Sequence, residues 1–295
     1  MAPRLNKSVS PYFLMASPAP ALMLWNPSSR RVEVHPRVPR FPMSHYFESA
    51  PTRSLKPHVV CNWKHLFDGD CAHRFKILPD GCVDIILIGD RPPLVVGPNL
   101  KAFVASFDGP TKIVGIRLKP GIAGAVLNEN VKNIVDREVP LEDLWGSRAP
   151  KLQDVSNDEK RRLLDSIILW QLRTADGRVM DAVRHLSADP NQSTEELAAR
   201  YRLTSRHLLR LFETHVGYGP KALARIFRLQ RTLSIAGYSH LVFSDLALAA
   251  GYSDQSHMYR EFSALCSELP SDVVRRRDST LAMSDLFKIA GHPVG

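Results

Sequence analysis

Two short stretches carry the residues best suited to chemistry at a surface. "TSRHLLRLF" (204–212) offers Ser205, Arg206, Leu209 and Arg210, and "DQSHMYREF" (254–262) offers Gln255, Ser256, Tyr259 and Arg260. Arginine presents a planar fork of donors that matches phosphate oxygens and the acceptor edge of a guanine. Glutamine and serine can pair with base edges, and tyrosine adds a flat apolar face with a polar tip. For each arginine two roles stay open at this level: a phosphate contact, which positions, or a base contact, which specifies.

These side chains need rigid elements to present them. "LALAAGYSDQSHMYREF" (246–262) reads as helix, turn, helix. Leu246, Ala247 and Ala250 make one buried stripe. Gly251 suits a left-handed helix end, and Ser253 is the expected N-cap of the next helix. Met258 and Phe262 then form an apolar back at i and i+4. "LAARYRLTSRHLLRLF" (197–212) repeats the pattern some fifty residues upstream, with "HLLRLF" matching "HMYREF" and one extra residue in the second turn. Leu208, Leu211 and Phe212 form its back. His207 and His257 fall beside the turns. Between the pairs, Pro220 opens a run without a breaker to Ala236. Its stripe is Leu223, Ile226, Phe227, Gln230 and Leu233, with Arg225, Arg228 and Arg231 mostly off it. A helix of that length spans roughly 25 Å and could hold two reading helices about one DNA turn apart.

Over residues 178–277 the chain resembles the AraC/XylS-type transcriptional regulators, above all in "FSDLALAAGYSDQSHMYREFSAL" and "VGYGPKALARIFRLQR". The resemblance implies two helix-turn-helix units on one long helix, and contact with double-stranded DNA through the eight residues named above. It departs from the family where Arg202 replaces the usual glycine of the first turn. Either the turn is strained there or its shape differs, because a side chain disfavours positive φ.

Composition agrees with an anionic partner. The 295 residues carry a formal net charge of +9 with 44% hydrophobic and 23% charged residues. From Arg200 to Arg231 eight basic residues face the single acid Glu213. No run of 18 apolar residues predicts a membrane span. Four cysteines do not make a secreted disulfide framework, so a reducing cytoplasm is expected.

The expected fold class is α+β multidomain: a β-rich domain followed by an all-α domain. Residues 1–45, with eight prolines and one acid, read as an unstructured leader, and Met43 is a candidate start of the native product. Residues 46–150 read as β-rich, with strands in "VDIILIGD", "PLVVGP", "AFVASFDG" and "TKIVGIRLKP" and a closing "VPLEDLWG". "RFKILPDGCVDIIL" and "VGIRLKPGIAGAVL" resemble a domain that often precedes such DNA-binding domains, where sensing or dimerisation is its implied role. Residues 151–177 read as a linker or dimer helix, with a capping box of Ser156 and Glu159 and an apolar face of Leu163, Leu164, Ile167, Ile168 and Leu172. Asp176-Gly177 marks a hinge, and 278–295 form a tail.

His58, Cys61, His65, Cys71, His73 and Cys82 are ligand types for zinc or copper. They lack CxxC or HxH spacing and sit in β-rich sequence, so neither metal nor cofactor is expected. A different class of protein, the DNA-repair methyl acceptors, joins a zinc-tetrathiolate domain to the same kind of DNA-binding domain. That chemistry needs four thiolates in the N-terminal part, and here there are three, Cys61, Cys71 and Cys82. No GxSxG, P-loop or HExxH supports an enzyme. The expected partners are therefore duplex DNA, a small-molecule effector, a second copy of the chain and, for an activator, RNA polymerase; no membrane is expected.

Overall fold

The computed structural model describes residues 44–68, 72–150, 157–238 and 241–277. Eight strands come first: β1 (Ser44–Ser49), β2 (Val59–Phe67), β3 (Ala72–Ile77), β4 (Val83–Ile88), β5 (Leu94–Val96), β6 (Phe103–Asp108), β7 (Thr111–Leu118) and β8 (Glu138–Pro140). Six form one antiparallel sheet in the order β1-β2-β7-β4-β5-β8, and β3 pairs with β6. The run "VDIILI" of β4 is apolar at nearly every position because the sheet is covered on both sides. Ile85, Leu87 and Ile116 enter one core, while Ile86, Ile88 and Ile113 meet Phe67, Phe75 and Phe107. The four expected strands are present. β1, β2, β3 and β8 are not foreseen, and Ser44 and His45 open β1 instead of ending a leader. The rest of the expected leader, with Met43, lies outside the described residues.

β2 hides from pattern reading because it buries polar side chains: Asn62 is 3% and His65 4% exposed. His65 and His73 pack on Phe67, at ring separations of 4.0 and 5.0 Å. Among the described residues no three His, Cys, Asp or Glu side chains stand together as a metal site would require. Burial first, and the nearby His73 second, lower the pKa of His65 to about 4. Above pH 6.5 His65 is neutral both folded and unfolded. As pH falls through the window from 6.5 to 4, the unfolded chain takes up the proton and the folded chain does not. Stability is therefore lost on acidification, by roughly 3 kcal/mol from this group at pH 4. His58 and His215, also held low by burial, add in the same direction. Urea unfolding at pH 7 and pH 4.5 should show that His65→Phe loses about 2 kcal/mol less than the wild type on acidification.

Helices α1 (Ala123–Leu127) and α2 (Leu141–Trp145) close the domain, with Leu141 and Trp145 in the core. In α3 (Asn157–Gln171), Leu164 and Ile168 lie in that same core, Ile167 packs against it together with Leu172 just past the helix, and Leu163 faces outward. Ser156, half of the expected capping box, lies outside the described residues.

Seven helices follow: α4 (Gly177–Ala188), α5 (Thr194–Arg200), α6 (Ser205–His215), α7 (Pro220–Tyr238), α8 (Phe243–Ala250), α9 (Gln255–Cys266) and α10 (Pro270–Arg277). α5 begins with a capping box of Ser193 and Glu196. The helical half is seated directly on the β-rich half. Leu100 and Val135 pack into the cluster of α4, α6 and α7, and Leu78 packs against Leu229, Leu233 and Phe262. The Ala102 amide donates to Leu265 O at 2.7 Å, and Lys76 Nζ lies 2.8 Å from Glu268 Oε1.

Candidate nucleic-acid interface

α5–α6 and α8–α9 are two helix-turn-helix units. In α6 Leu208 and Phe212 are fully buried, as are Met258 and Phe262 in α9. The opposite faces look outward. Arg206, Leu209 and Arg210 are exposed and Ser205 is half-buried; in the second unit Gln255, Ser256 and Arg260 are exposed. Tyr259 is partly covered, its ring edge-on to Phe243 at 5.9 Å. All eight residues singled out in the sequence thus lie on the two second helices.

Side chains cap both helices at equivalent places. Thr204 accepts from the His207 amide at 3.2 Å, and Asp254 accepts from the His257 amide at 2.7 Å. The expected cap Ser253 sits one residue too early. Its hydroxyl bonds Asp254 Oδ2 at 3.1 Å and His257 Nδ1 at 3.1 Å. An Asp cap has a full charge for the helix N-terminus, which a hydroxyl lacks. The extra residue of the second unit lies in its turn, between the left-handed residue and the cap.

Those left-handed residues are Arg202, with φ 54°, and Gly251, with φ 95°. The first turn therefore keeps its shape and carries the strain. The left-handed conformation costs a non-glycine residue about 1–2 kcal/mol, while glycine adds unfolded-state entropy of about 0.5–1 kcal/mol. Arg202→Gly should raise stability by up to about 1 kcal/mol, read as a higher midpoint in urea.

α7 joins the units and corrects one expectation. Arg228, expected mostly off the buried stripe, is buried along with Leu229 and Thr232. Its Nε and Nη2 donate to Glu261 of α9 at 3.1 and 2.8 Å, its Nη1 donates to Pro190 O at 3.1 Å, and its guanidinium lies 5.5 Å from the Tyr252 ring centroid. Arg225 Nε also reaches Glu261 at 3.1 Å. Sequence reasoning missed Glu261, although it is an acid on the face of α9 turned to the long helix. In the first unit the matching position is Leu211, which packs in the apolar cluster.

A family model described as a helix-turn-helix domain matches residues 197–276, and one described as a domain of unknown function (DUF6597) matches 47–140. Two proteins of Mycobacterium tuberculosis, strains CDC 1551 / Oshkosh and H37Rv, are each 37% identical over 75 residues, 25% of this chain. Both carry the name "Probable bifunctional transcriptional activator/DNA repair enzyme AlkA". The match spans only 15% of their length. Among solved structures, a probable AraC family transcriptional regulator from Rhodopseudomonas palustris CGA009 is 26% identical with TM-score 0.31, covering 34% of this chain and 97% of that one. ToxT from Vibrio cholerae is 10% identical with TM-score 0.39, covering 79% and 98%. No helix among the described residues is long and apolar enough to cross a membrane.

Proposed function

We propose that this chain, whose residues 197–276 form an AraC-type helix-turn-helix DNA-binding domain, is a sequence-specific transcriptional regulator that reads two adjacent major grooves of duplex DNA from the cytoplasm. The observation that carries this reading is the pair of exposed polar fronts, on α6 and α9, held by buried backs to the single helix α7. Arg206 sits near the start of α6, where a recognition helix meets base edges. Ser205, Leu209 and Arg210 share its face, and Gln255, Ser256, Tyr259 and Arg260 form the matching set on α9. Selection of bound sequences from a random duplex library, followed by affinity measurement at fixed salt, tests this. Arg206→Ala should cost about 1–3 kcal/mol on the selected site and relax preference at one base position. Equal weakening on all sequences would make Arg206 a phosphate contact instead.

Residues 46–150, with the helix in 151–177, serve in this reading as the sensing and dimerising part, and residues 178–277 as the DNA-binding part. Support comes from Trp170, 70% exposed on α3, which offers a second copy an apolar contact. A homodimer would place two double readers on a repeated site, and an activator would also meet RNA polymerase. Sedimentation of wild type and Trp170→Glu tests the contact. The repair reading has less support: the proteins whose name joins activator and repair enzyme match only 25% of this chain and 15% of their own length. Burial pushes the Cys61 thiol up to about 12 and the Cys82 thiol well above its usual value, so neither is a thiolate on its own at neutral pH.

A further inference from the structure

Between the large sheet and the β3–β6 pair lies a cavity with about 80 Å³ of water-accessible space. That is room for roughly five to eight waters, or one small organic molecule in their place. Trp63, Phe75, Phe103 and Phe107 supply aromatic surface. Three carboxylates, Asp80, Asp84 and Glu138, line the cavity beside a single guanidinium, Arg117.

Asp84 and Arg117 are occupied with each other. Arg117 Nε donates to Asp84 Oδ1 at 3.0 Å and its Nη2 to Oδ2 at 3.1 Å, while Trp63 Nε1 donates to Asp84 Oδ1 at 3.0 Å. Asp80 is different. One oxygen accepts from the Cys82 amide at 2.9 Å, and the other stands 3.5 Å from an Arg117 Nε already turned to Asp84. An anion entering here would meet the Asp80 and Asp84 carboxyl groups, with the one guanidinium already turned to Asp84. A cation would meet an Asp80 oxygen with weak competition in a cavity that aromatic rings also line, the combination that recognises ammonium groups.

The strip Leu78–Cys82 also seats α7. Pro79 O accepts from the buried Gln230 Nε2 at 2.5 Å, and Leu78 packs with Leu229 and Leu233. A Cβ on Gly81 would stand 2.9 Å from Leu223 Cδ1, so the backbone touches the helix there. Leu78 and Asp80 line the cavity while Leu78, Pro79 and Gly81 bear on α7, which holds both helix-turn-helix units.

We propose that this cavity binds a small organic cation with an apolar body, that Asp80 receives its ammonium group, and that binding acts on α7 through the strip Leu78–Cys82. This rests on the reading of the β-rich domain as a sensor. A ligand shifts an equilibrium only by its differential affinity for two states, and a ligand drawn to Asp80 touches the strip whose position those states would share.

The test uses the full chain and three probes of one shape: 2-phenylethylammonium, 2-phenylethanol and 3-phenylpropanoate, each to 10 mM in calorimetric and thermal-shift titrations. The ammonium should bind at least tenfold tighter than the carboxylate. Asp80→Asn, whose amide oxygen can keep the Cys82 bond, should lose that preference. In wild type the ammonium should change affinity for the selected DNA site at least threefold, and Gln230→Leu should abolish the change. Equal or tighter binding of the carboxylate, or no binding of the ammonium, overturns the ligand class whatever the variants do. Binding without any effect on DNA affinity overturns the coupling. If DNA selection succeeds while the ammonium fails, the regulator reading stands and the cavity proposal falls. If the ammonium binds and no DNA sequence is enriched, the reverse holds.

Discussion

Glu261→Ala is expected to cost about 3–5 kcal/mol of stability and to uncouple the second recognition helix from the first. Glu261 takes the Arg228 guanidinium at 2.8 Å and that of Arg225 at 3.1 Å, and His257 Nε2 lies 3.5 Å away. The Arg228 side chain is only 11% exposed. Without the carboxylate its charge stays buried, with Pro190 O and the Tyr252 ring as its remaining partners. Removing one partner of a buried pair is costly in just this way, whereas replacing both by apolar residues of similar volume is often neutral. Glu261→Leu combined with Arg228→Met should therefore recover most of the loss. A double-mutant cycle in urea measures the coupling. If Glu261→Ala alone costs under about 1 kcal/mol, the clasp is not what fixes α9 to α7.

Gly97→Ala is expected to be as severe, for a steric reason. A Cβ at residue 97 would stand 1.7 Å from Ile134 O and 2.7 Å from Ile134 C, and the Gly97 amide already donates to Arg137 O at 2.9 Å. Backbone stands against backbone, so no side chain can turn aside. Overpacking a core costs about 1–3 kcal/mol where side chains can give, and more is expected here. The displaced segment includes Val135, which lies where a Cβ on Gly217, just past α6, would meet it at 2.7 Å. The damage should thus reach the first helix-turn-helix unit and appear as weaker DNA binding as well as a lower melting temperature. Gly177→Ala, with open space around its Cβ, is the control and should stay within about 1 kcal/mol of wild type. A melting temperature for Gly97→Ala equal to that control would refute the argument.

Much of the candidate interface was legible in the sequence because a duplication repeats its apolar backs. Leu208 with Phe212, and Met258 with Phe262, show the helix period twice, and what remains outside must face solvent. The glycine position carried by Arg202 was legible for the same reason. The β-rich half gave less away. β2 buries Asn62 and His65, so its pattern mimics a surface loop, and the β4 run conceals which face meets which sheet. Long-range pairings were illegible altogether. Arg228 reads as one more positive charge until Glu261 is placed beside it, and a count of basic residues cannot separate a charge offered to DNA from one consumed inside the fold. Gln230 reads as one polar member of the stripe of α7, and its partner, Pro79 O, lies in the other half of the chain.

α7 fixes more than a distance. Each residue of an α-helix advances the chain about 1.5 Å and turns it about 100°. The angle at which α6 and α9 face outward is therefore set by how many residues lie between Pro220 and Tyr238. One residue added near the exposed Arg231 would swing everything after it by more than a quarter turn. Both units could keep their own cores and still point to different sides of a duplex. Three or four residues would restore the heading and move the second unit about 5 Å farther along. A change of length in this helix that keeps both units on one side of a duplex is thus nearly a whole turn, and the rotational phase of the two readers changes in steps, not by continuous adjustment.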